Sequence, residues 1–320
     1  MLRVTRDGTV WAGGAGPLHR LTADGWQSKA DDGGFFAPPG QRAIIEDSSG
    51  GLWIGLNDGR LLHRHGDKED FYDRRHGLPG DAVITVLAGA DGIVWLGTGG
   101  GGLLRLKDGH AARFTTAEGL PHNVVSQILS GPDGYLWLGT YGGLCRLSLA
   151  ELEACAAGQL PQLNALTLRR SDGMATVECT SGGHPGACTG PDGQLWFPTN
   201  KGIAIVDPAK IVLNPLPPPV IMESLLQDGR PLPLTPGIME LGPGVERIGL
   251  SYTALNFTAP DRVRFRTRLD GLETAWQEAG SGRTASYRYL PPGSYIFQAV
   301  ACNNDGFWNP VPACTSASPP

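Results

Sequence analysis

The sequence predicts an all-β chain: a β-propeller of about five four-stranded blades, followed by an immunoglobulin- or fibronectin-like β-sandwich. Three observations carry that prediction. A tryptophan-centred segment recurs every 42 residues. Gly and Pro together exceed a fifth of the 320 residues (47 Gly and 26 Pro) without a collagen period, so the chain is dense in tight turns. After Pro217-Pro218-Pro219 the repeat gives way to strand-length apolar runs separated by turn dipeptides.

The repeat is read by aligning Trp11, Trp53, Trp95, Trp137 and Trp196. The first three spacings are 42 residues each, and the last, 196 − 137 = 59, is one repeat plus an insertion of 17. Apolar strands precede three of the tryptophans, at Ala43–Ile45, Val83–Leu87 and Val124–Leu129. A hairpin carrying Asp-Gly or Gly-Gly leads into the tryptophan strand, because Gly tolerates the positive φ of a tight turn. A third strand follows the next Gly, and an aromatic-led fourth strand falls at Asp70–Asp73 and Ala112–Thr115. Four short strands at this period are the pattern of a propeller blade. Gly and β-branched residues are too dense for a helical repeat. A large ring at the same place in every unit reads as filling between adjacent sheets, so Trp11, Trp53, Trp95, Trp137 and Trp196 are assigned to the blade core.

Met1 falls where the first blade's inner strand should already be under way, and Gly202–Asp207 gives a third strand with no clear fourth behind it. Either five units close on themselves, or residues 1–213 are the C-terminal part of a larger propeller; the register of Met1 favours the second. A Pro-rich linker, 214–219, leads to a sandwich at 220–312 and a tail at 313–320. Its strands are expected at Val220–Leu226, Arg247–Leu255, Val263–Leu269, Thr284–Tyr289 and Ser294–Ala301. Leu290-Pro-Pro-Gly-Ser-Tyr295 has the form of a tyrosine corner. Arg262, Arg264, Arg266 and Arg268 alternate and so share a face, either solvated or in contact with an anion or a neighbouring subunit.

Composition narrows function. Net charge is −5 with no Lys/Arg run, which leaves no electrostatic footprint for nucleic acid. No window of eighteen apolar residues spans a membrane, and the N-terminus lacks the apolar core of a signal peptide. The six cysteines form no CxxC pair and no zinc-ligand spacing. Cys179 and Cys188 flank a Gly/Pro-rich loop and make the best candidate disulfide, with free thiols the alternative. No HExxH, Gly-x-Ser-x-Gly or GxxxxGK[ST] motif occurs, so neither a catalytic residue nor a metal or cofactor site is assigned.

Two stretches resemble known families. Gly-Leu-Pro-x-x-x-Val…Asp-Gly-x-x-Trp-Leu-Gly-Thr…Gly-Gly-Leu-x-Arg-Leu is similar to two-component regulator propeller repeats. Tyr252…Leu269-Asp-Gly-Leu-x-x-x-Trp276…Tyr287…Leu-Pro-Pro-Gly-x-Tyr295…Asn304-x-Gly-x-Trp308 is similar to the triple-tyrosine (Y_Y_Y) domain, with Phe265 where that family often has Tyr. The resemblance assigns Trp276, Tyr287, Tyr295 and Trp308 to the sandwich core. It implies the periplasmic sensor region of a hybrid two-component sensor histidine kinase, whose membrane helix and kinase are not in this chain. It also implies a homodimer in the intact receptor, membrane contact only through segments outside this chain, and a small-molecule or oligosaccharide ligand.

Loops that join a fourth strand to the next blade, and a second strand to a third, emerge on one propeller face. That places Asn57, Asp58, His76, His122, Asn123, Tyr141, Asn200 and Lys201 together as the ligand-binding expectation. Tyr141 would stack on a sugar ring, and Asn57 and Asn200 would bond hydroxyls. Ordinary turn chemistry is the competing reading for Asn57, Asp58 and Asn200. A propeller lyase of the streptogramin-lyase type, which would need a His and an acid on the propeller face with His122 as the candidate histidine, and a non-catalytic interaction platform are the alternatives in other functional classes.

Overall fold

The structure, a computed structural model, describes residues 1–28, 40–66, 68–89, 92–131, 134–180, 183–234, 238–241, 244–257, 259–310 and 313–318. The chain divides into two compact units, Met1–Ile211 and Val212–Pro320.

The first unit is a row of five antiparallel sheets. The first blade holds Leu2–Val4, Val10–Ala12, His19–Thr22 and Gly25–Ser28. The second holds Gln41–Glu46, Leu52–Leu56, Leu61–His65 and Lys68–Tyr72; the third, Val83–Ala88, Val94–Thr98, Leu103–Lys107 and His110–Phe114. The fourth holds Val125–Ser130, Tyr135–Thr140, Gly143–Ser148 and Leu166–Leu168, and the fifth Cys188–Thr189, Leu195–Thr199 and Gly202–Val206. Each blade runs in sequence order, as hairpin-joined strands must.

The recurrent Trp-x-Gly-Thr has a physical reason at each position. Trp11 packs with Ile44 and Ile54 of the second blade, and Trp53 with Val83 and Val94 of the third. Trp95 packs with Ile128 and Leu138 of the fourth, and Trp137 with Leu195 and Phe197 of the fifth. Every ring thus fills the gap to the blade that follows it. The Gly two residues on lets that blade approach: a Cβ on Gly97 would lie 2.4 Å from the Val125 carbonyl oxygen, and one on Gly55 2.8 Å from that of Val83. The Thr closes the next hairpin, Thr98 Oγ1 donating to Gly102 O (2.8 Å), Thr140 to Gly143 O (2.7 Å) and Thr199 to Gly202 O (2.9 Å).

Trp196 breaks the pattern and corrects the blade-core expectation. It is 37% exposed, because the face it occupies has no following blade beside it among the described residues.

The 17-residue insertion is split in two. Cys179 bridges Thr199 as Val125 pairs with Thr140, and 179 − 125 = 54, which is one repeat plus 12. Cys188 opposes Trp196 as Leu129 opposes Trp137, and 188 − 129 = 59, which is one repeat plus 17. Twelve residues therefore precede Cys179, where the helix Leu149–Ala156 lies. The sequence reading places no helix there. Ser148 caps it, Leu152 buries, and Glu153 pairs with Arg105 of the third blade at 2.5 Å. The other five lie between Cys179 and Cys188. Both cysteines are free, which corrects the disulfide expectation: they occupy two register positions along the same inner edge, Cys179 buried and Cys188 exposed. Burial pushes the Cys145 and Cys179 thiols up to about 12, so neither is a nucleophile at neutral pH.

The second blade carries a further tie. Asp47 accepts from Ser49 N and Oγ, from Gly51 N, from Trp53 Nε1 (3.0 Å) and from His63 Nε2 (3.0 Å), and the His63 ring stacks on Trp53 at 3.9 Å. Burial works against its charge, but the hydrogen bonds from Ser49, Gly51 and His63 hold its carboxyl down at about 2. Asp47→Ala strands several donors at once, so a loss of about 1–3 kcal/mol in the urea unfolding free energy is expected. An unchanged midpoint would show that the tie is idle.

The second unit is a two-sheet sandwich. One sheet has the order Arg230–Leu232, Val220–Gln227, Arg247–Ala254, Thr284–Arg288; the other has the order Ile238–Glu240, Ala313–Ser318, Tyr295–Cys302, Arg264–Asp270, Gln277–Gly280. The stretch expected as a tail thus supplies a strand, Ala313–Ser318, paired along Tyr295–Ala299. The buried core gathers Tyr252, Phe265, Leu269, Tyr295 and Phe297, with Tyr287 packed against it. Tyr295 Oη donates to Pro291 O at 2.9 Å, closing the tyrosine corner. Trp276 and Trp308 are half-buried and lie outside that core. Strand alternation explains why: Phe265, Thr267 and Leu269 point inward, so Arg264, Arg266 and Arg268 point outward, where Arg266 lies over Trp308 (4.1 Å) and Arg268 over Trp276 (5.1 Å). Glu278 and Asp270 pair with Arg266 and Arg268 at 2.5 and 2.6 Å, so these arginines are engaged within the sandwich. Arg262 lies before the strand, in the short helical turn Pro260–Arg262.

Candidate functional site

The inner strands converge on the axis of the propeller unit, where a cavity of about 340 Å3 opens among Met1, Gly14, Ala15, Gly40, Gln41, Arg42, Asn57, Ile84 and Gly183. Backbone forms much of its wall. Gly40 N and Gln41 N both donate to Gly14 O (2.9 and 3.0 Å), and Asn57 N donates to Gly40 O (2.8 Å). Gln41 Oε1 accepts from Gly14 N at 3.1 Å, which ties the first blade to the second. Gly40 has φ +90°, and a Cβ there would press on Asn57 Cβ at 3.1 Å. The polar side chains at the cavity are Gln41, Arg42 and Asn57: a guanidinium and two amides that suit hydroxyls and carboxylates. The volume lies within the range of small-ligand sites.

His184, between Cys179 and Cys188, reaches this hub. Leu2 N donates to His184 O (3.5 Å), Ile44 N donates to His184 Nδ1 (3.4 Å), and His184 Nε2 meets Val86 O (3.3 Å). One side chain of the fifth blade therefore bonds the inner strands of the second and third, while its carbonyl holds the first. Burial above all, and then the nearby Arg3 and N-terminal charges, push the His184 pKa down to about 4. Its Nδ1 must keep a lone pair to accept from Ile44, so the ring is neutral.

The structure separates the residues expected to share a site. Asn57 is at the hub cavity. Asp58 is paired with Arg60 (2.7 Å) in a different cleft of about 250 Å3, where Asp73 and Arg75 pair with each other (2.8 Å) and Arg74 also lines the wall. His76 accepts from Asp73 N through Nδ1 (3.2 Å) and caps a helical turn. His122 and Tyr141 do meet, with ring centroids 5.8 Å apart, but His122 Nδ1 accepts from Val124 N (2.9 Å). Asn123 Oδ1 accepts from Thr116 N, and Asn200 Nδ2 donates to Glu178 Oε2 (2.7 Å). Lys201 lines a groove beside the fifth blade. The turn-chemistry reading accounts for most of these partners. No group of three or more His, Cys, Asp or Glu side chains able to hold a metal ion occurs among the described residues.

Sequence reasoning missed Gln41, Arg42 and His184. A signal existed for the first two. In the 42-residue register Gln41 corresponds to Val83 and Val125, and Arg42 to Ile84 and Ser126. Gln41 stands where both other strands have Val, and Arg42 is charged where they have Ile and Ser.

Fold and site together define the class: an all-β, multi-blade propeller unit with a polar hub cavity, followed by a β-sandwich. The family comparisons make that more specific. The two component regulator propeller model matches residues 119–142, and the Y_Y_Y domain model matches residues 256–316. The two matches fall in that order along the chain. Its fold matches the extracellular domain of the putative hybrid two component system BT3049 from B. thetaiotaomicron with a TM-score of 0.72, at 18% identity over all of this chain and 44% of that one. The chain therefore spans less than half the length of that structure, and at this identity the likeness is one of fold. The extracellular domain of the putative one component system BT4673 from the same organism aligns over all of this chain and 55% of its own, at 16% identity and a TM-score of 0.36. Virginiamycin B lyase from Staphylococcus aureus aligns over 66% of this chain and 67% of its own, at 18% identity and a TM-score of 0.49. No curated protein matches the chain by sequence.

Proposed function

We propose that this chain is the ligand-sensing, extracytoplasmic region of a two-component signalling receptor and that it is not itself catalytic. The observation that carries this reading is the succession of a regulator propeller repeat and a Y_Y_Y domain in one chain. The fold shared with an extracellular domain of a hybrid two component system supports it. No helix among the described residues is long and apolar enough to cross a membrane. The membrane helix and output module of this reading lie outside the chain.

The ligand is a small polar molecule, with oligosaccharide fragments the preferred class, held at the hub cavity by Arg42 and Asn57. Binding there alters the relation between propeller and sandwich, and a pair of sandwiches in the intact receptor passes that change on. Calorimetric screening of neutral and acidic oligosaccharides against the chain tests the site. Arg42→Ala with Asn57→Ala should abolish binding without lowering the unfolding midpoint. A glycan that binds the double variant as tightly as the parent would remove the hub from the reading.

A further inference from the structure

Directly across from each blade tryptophan, on the next strand, stands one residue that shares its side of the sheet. In the first four blades that residue is basic: Arg20 opposes Trp11, His63 opposes Trp53, Arg105 opposes Trp95 and Arg146 opposes Trp137. Two of these bases meet a carboxylate. In the second blade Asp47 Oδ2 accepts from both His63 Nε2 and Trp53 Nε1, at 3.0 Å each. In the third blade Gly89 stands at the position of Asp47, one repeat on (89 − 47 = 42), and the carboxylate comes from elsewhere. Glu153 of the helix Leu149–Ala156 accepts from Arg105 Nε and Nη2, at 2.5 Å each. Arg20 of the first blade is half-buried and keeps contact with solvent.

The fourth blade has the donors of this arrangement without its carboxylate. Gly131 holds the Asp47 position, two repeats on (131 − 47 = 84). The turn itself is the same: Gly131 N donates to Tyr135 O (2.8 Å) as Asp47 N donates to Gly51 O (2.9 Å). Arg146 is only 8% exposed, and its buried Nε has no hydrogen-bond partner. Neither has the buried Nε1 of Trp137, the residue across from it. The Tyr135 ring lies 4.3 Å from the Arg146 guanidinium carbon and covers one face of the group, so its donors point along the plane between. A buried guanidinium with no counter-charge and a buried indole N–H with no acceptor each oppose folding. Water would satisfy the donors but leave the charge. A carboxylate answers both, as Asp47 does in the second blade.

We propose that the fourth blade binds a small free carboxylate, of formate or acetate size, between Trp137 Nε1 and Arg146 Nε. One oxygen accepts from the indole and the other from the guanidinium, with Arg146 supplying the counter-charge. The size limit follows from enclosure. Trp137 is fully buried against Leu195 and Phe197 of the fifth blade, so the place admits a few atoms and not a length of chain.

Formate is the probe, titrated at constant ionic strength into the 320-residue protein carrying isotopically labelled nitrogen. The readout is the indole N–H resonance of Trp137, assigned by its loss in Trp137→Phe. That resonance should shift along a saturable curve. Gly131→Asp puts a carboxylate on a turn that already carries one in the second blade. It should start with the resonance displaced and bind formate about tenfold or more weakly, because the tethered group competes at high effective concentration. Arg146→Met keeps an apolar stem under the Trp137 ring and should lose the response. The proposal is overturned if the Trp137 resonance stays still, if it drifts in proportion to formate without saturating, or if Gly131→Asp binds formate as tightly as the parent. It is also overturned if only Asp133→Asn responds to formate, since a carboxylate of the chain itself would then fill the place.

Discussion

Trp137→Ala should lower the unfolding free energy of the propeller unit by about 3–5 kcal/mol, the range for deleting a large buried ring. Trp137 is fully buried, against Leu195 and Phe197 of the fifth blade and Leu144 of its own. Its loss opens a void between two sheets whose backbones are held in place: Ser126 Oγ donates to Cys179 O (2.6 Å), and Gln127 Nε2 donates to Thr180 O and Pro198 O (3.0 and 2.9 Å). Sheets tethered in this way cannot collapse onto the cavity. The matching change at Trp196, on the open face, should cost less than about 1 kcal/mol. Urea titrations of the two variants against the parent make the comparison. Equal losses would contradict the finding that each tryptophan works by filling the gap to the following blade. Trp137→Phe should fall between them, because it retains most of the ring and removes an indole N–H that is buried without a partner.

Acid should loosen the hub through His184. The folded-state pKa, near 4, lies below the ordinary value of 6.5. Between those values the unfolded chain binds a proton that the folded chain refuses. Stability from this residue is therefore whole above pH 6.5, declines as pH falls from 6.5 to 4, and changes no further below that. The interval corresponds to about 3 kcal/mol. His184→Gln keeps an acceptor and a donor near Ile44 N and Val86 O but does not titrate. The difference in urea midpoint between parent and variant, followed from pH 7.5 down to pH 4, isolates the contribution from that of other groups. A constant difference across that range would show that His184 titrates as it does in the unfolded chain.

The repeat shows how far sequence reasoning reaches. The positions of the tryptophan strands, the hairpin glycines and the Trp-x-Gly-Thr signature follow from local sequence, because strand alternation and turn geometry act over a few residues. The tyrosine corner at Tyr295 was legible for the same reason, since its hydrogen bond spans only four residues. The expected binding residues were legible as turn residues and largely serve as such. His76 and Asn123 accept from backbone N–H groups three and seven residues away, whereas Asn200 reaches the Glu178 carboxylate 22 residues back in the chain.

What escaped the sequence depends on elements far apart in the chain. The insertion could be counted at 17 residues but not divided, and only strand register shows that twelve precede Cys179 and five follow it. The disulfide expectation failed on that division. Trp276 and Trp308 carry the right residue type for a core, yet they lie over arginines on the outer face of a sheet.

By itself the sequence determined the class of fold, the blade period and the order of the two modules, because these are written in residue spacing. Tertiary structure alone decided where a ligand would sit and which surfaces are left open. The hub cavity is made by Gly14, Gln41, Asn57 and Gly183, residues from three blades whose proximity depends on how the sheets are arrayed about one axis. Trp196 follows the same Asp-Gly-x-Leu-Trp run as Trp137. One ring is buried and the other exposed because, among the described residues, a blade packs beside one and not the other.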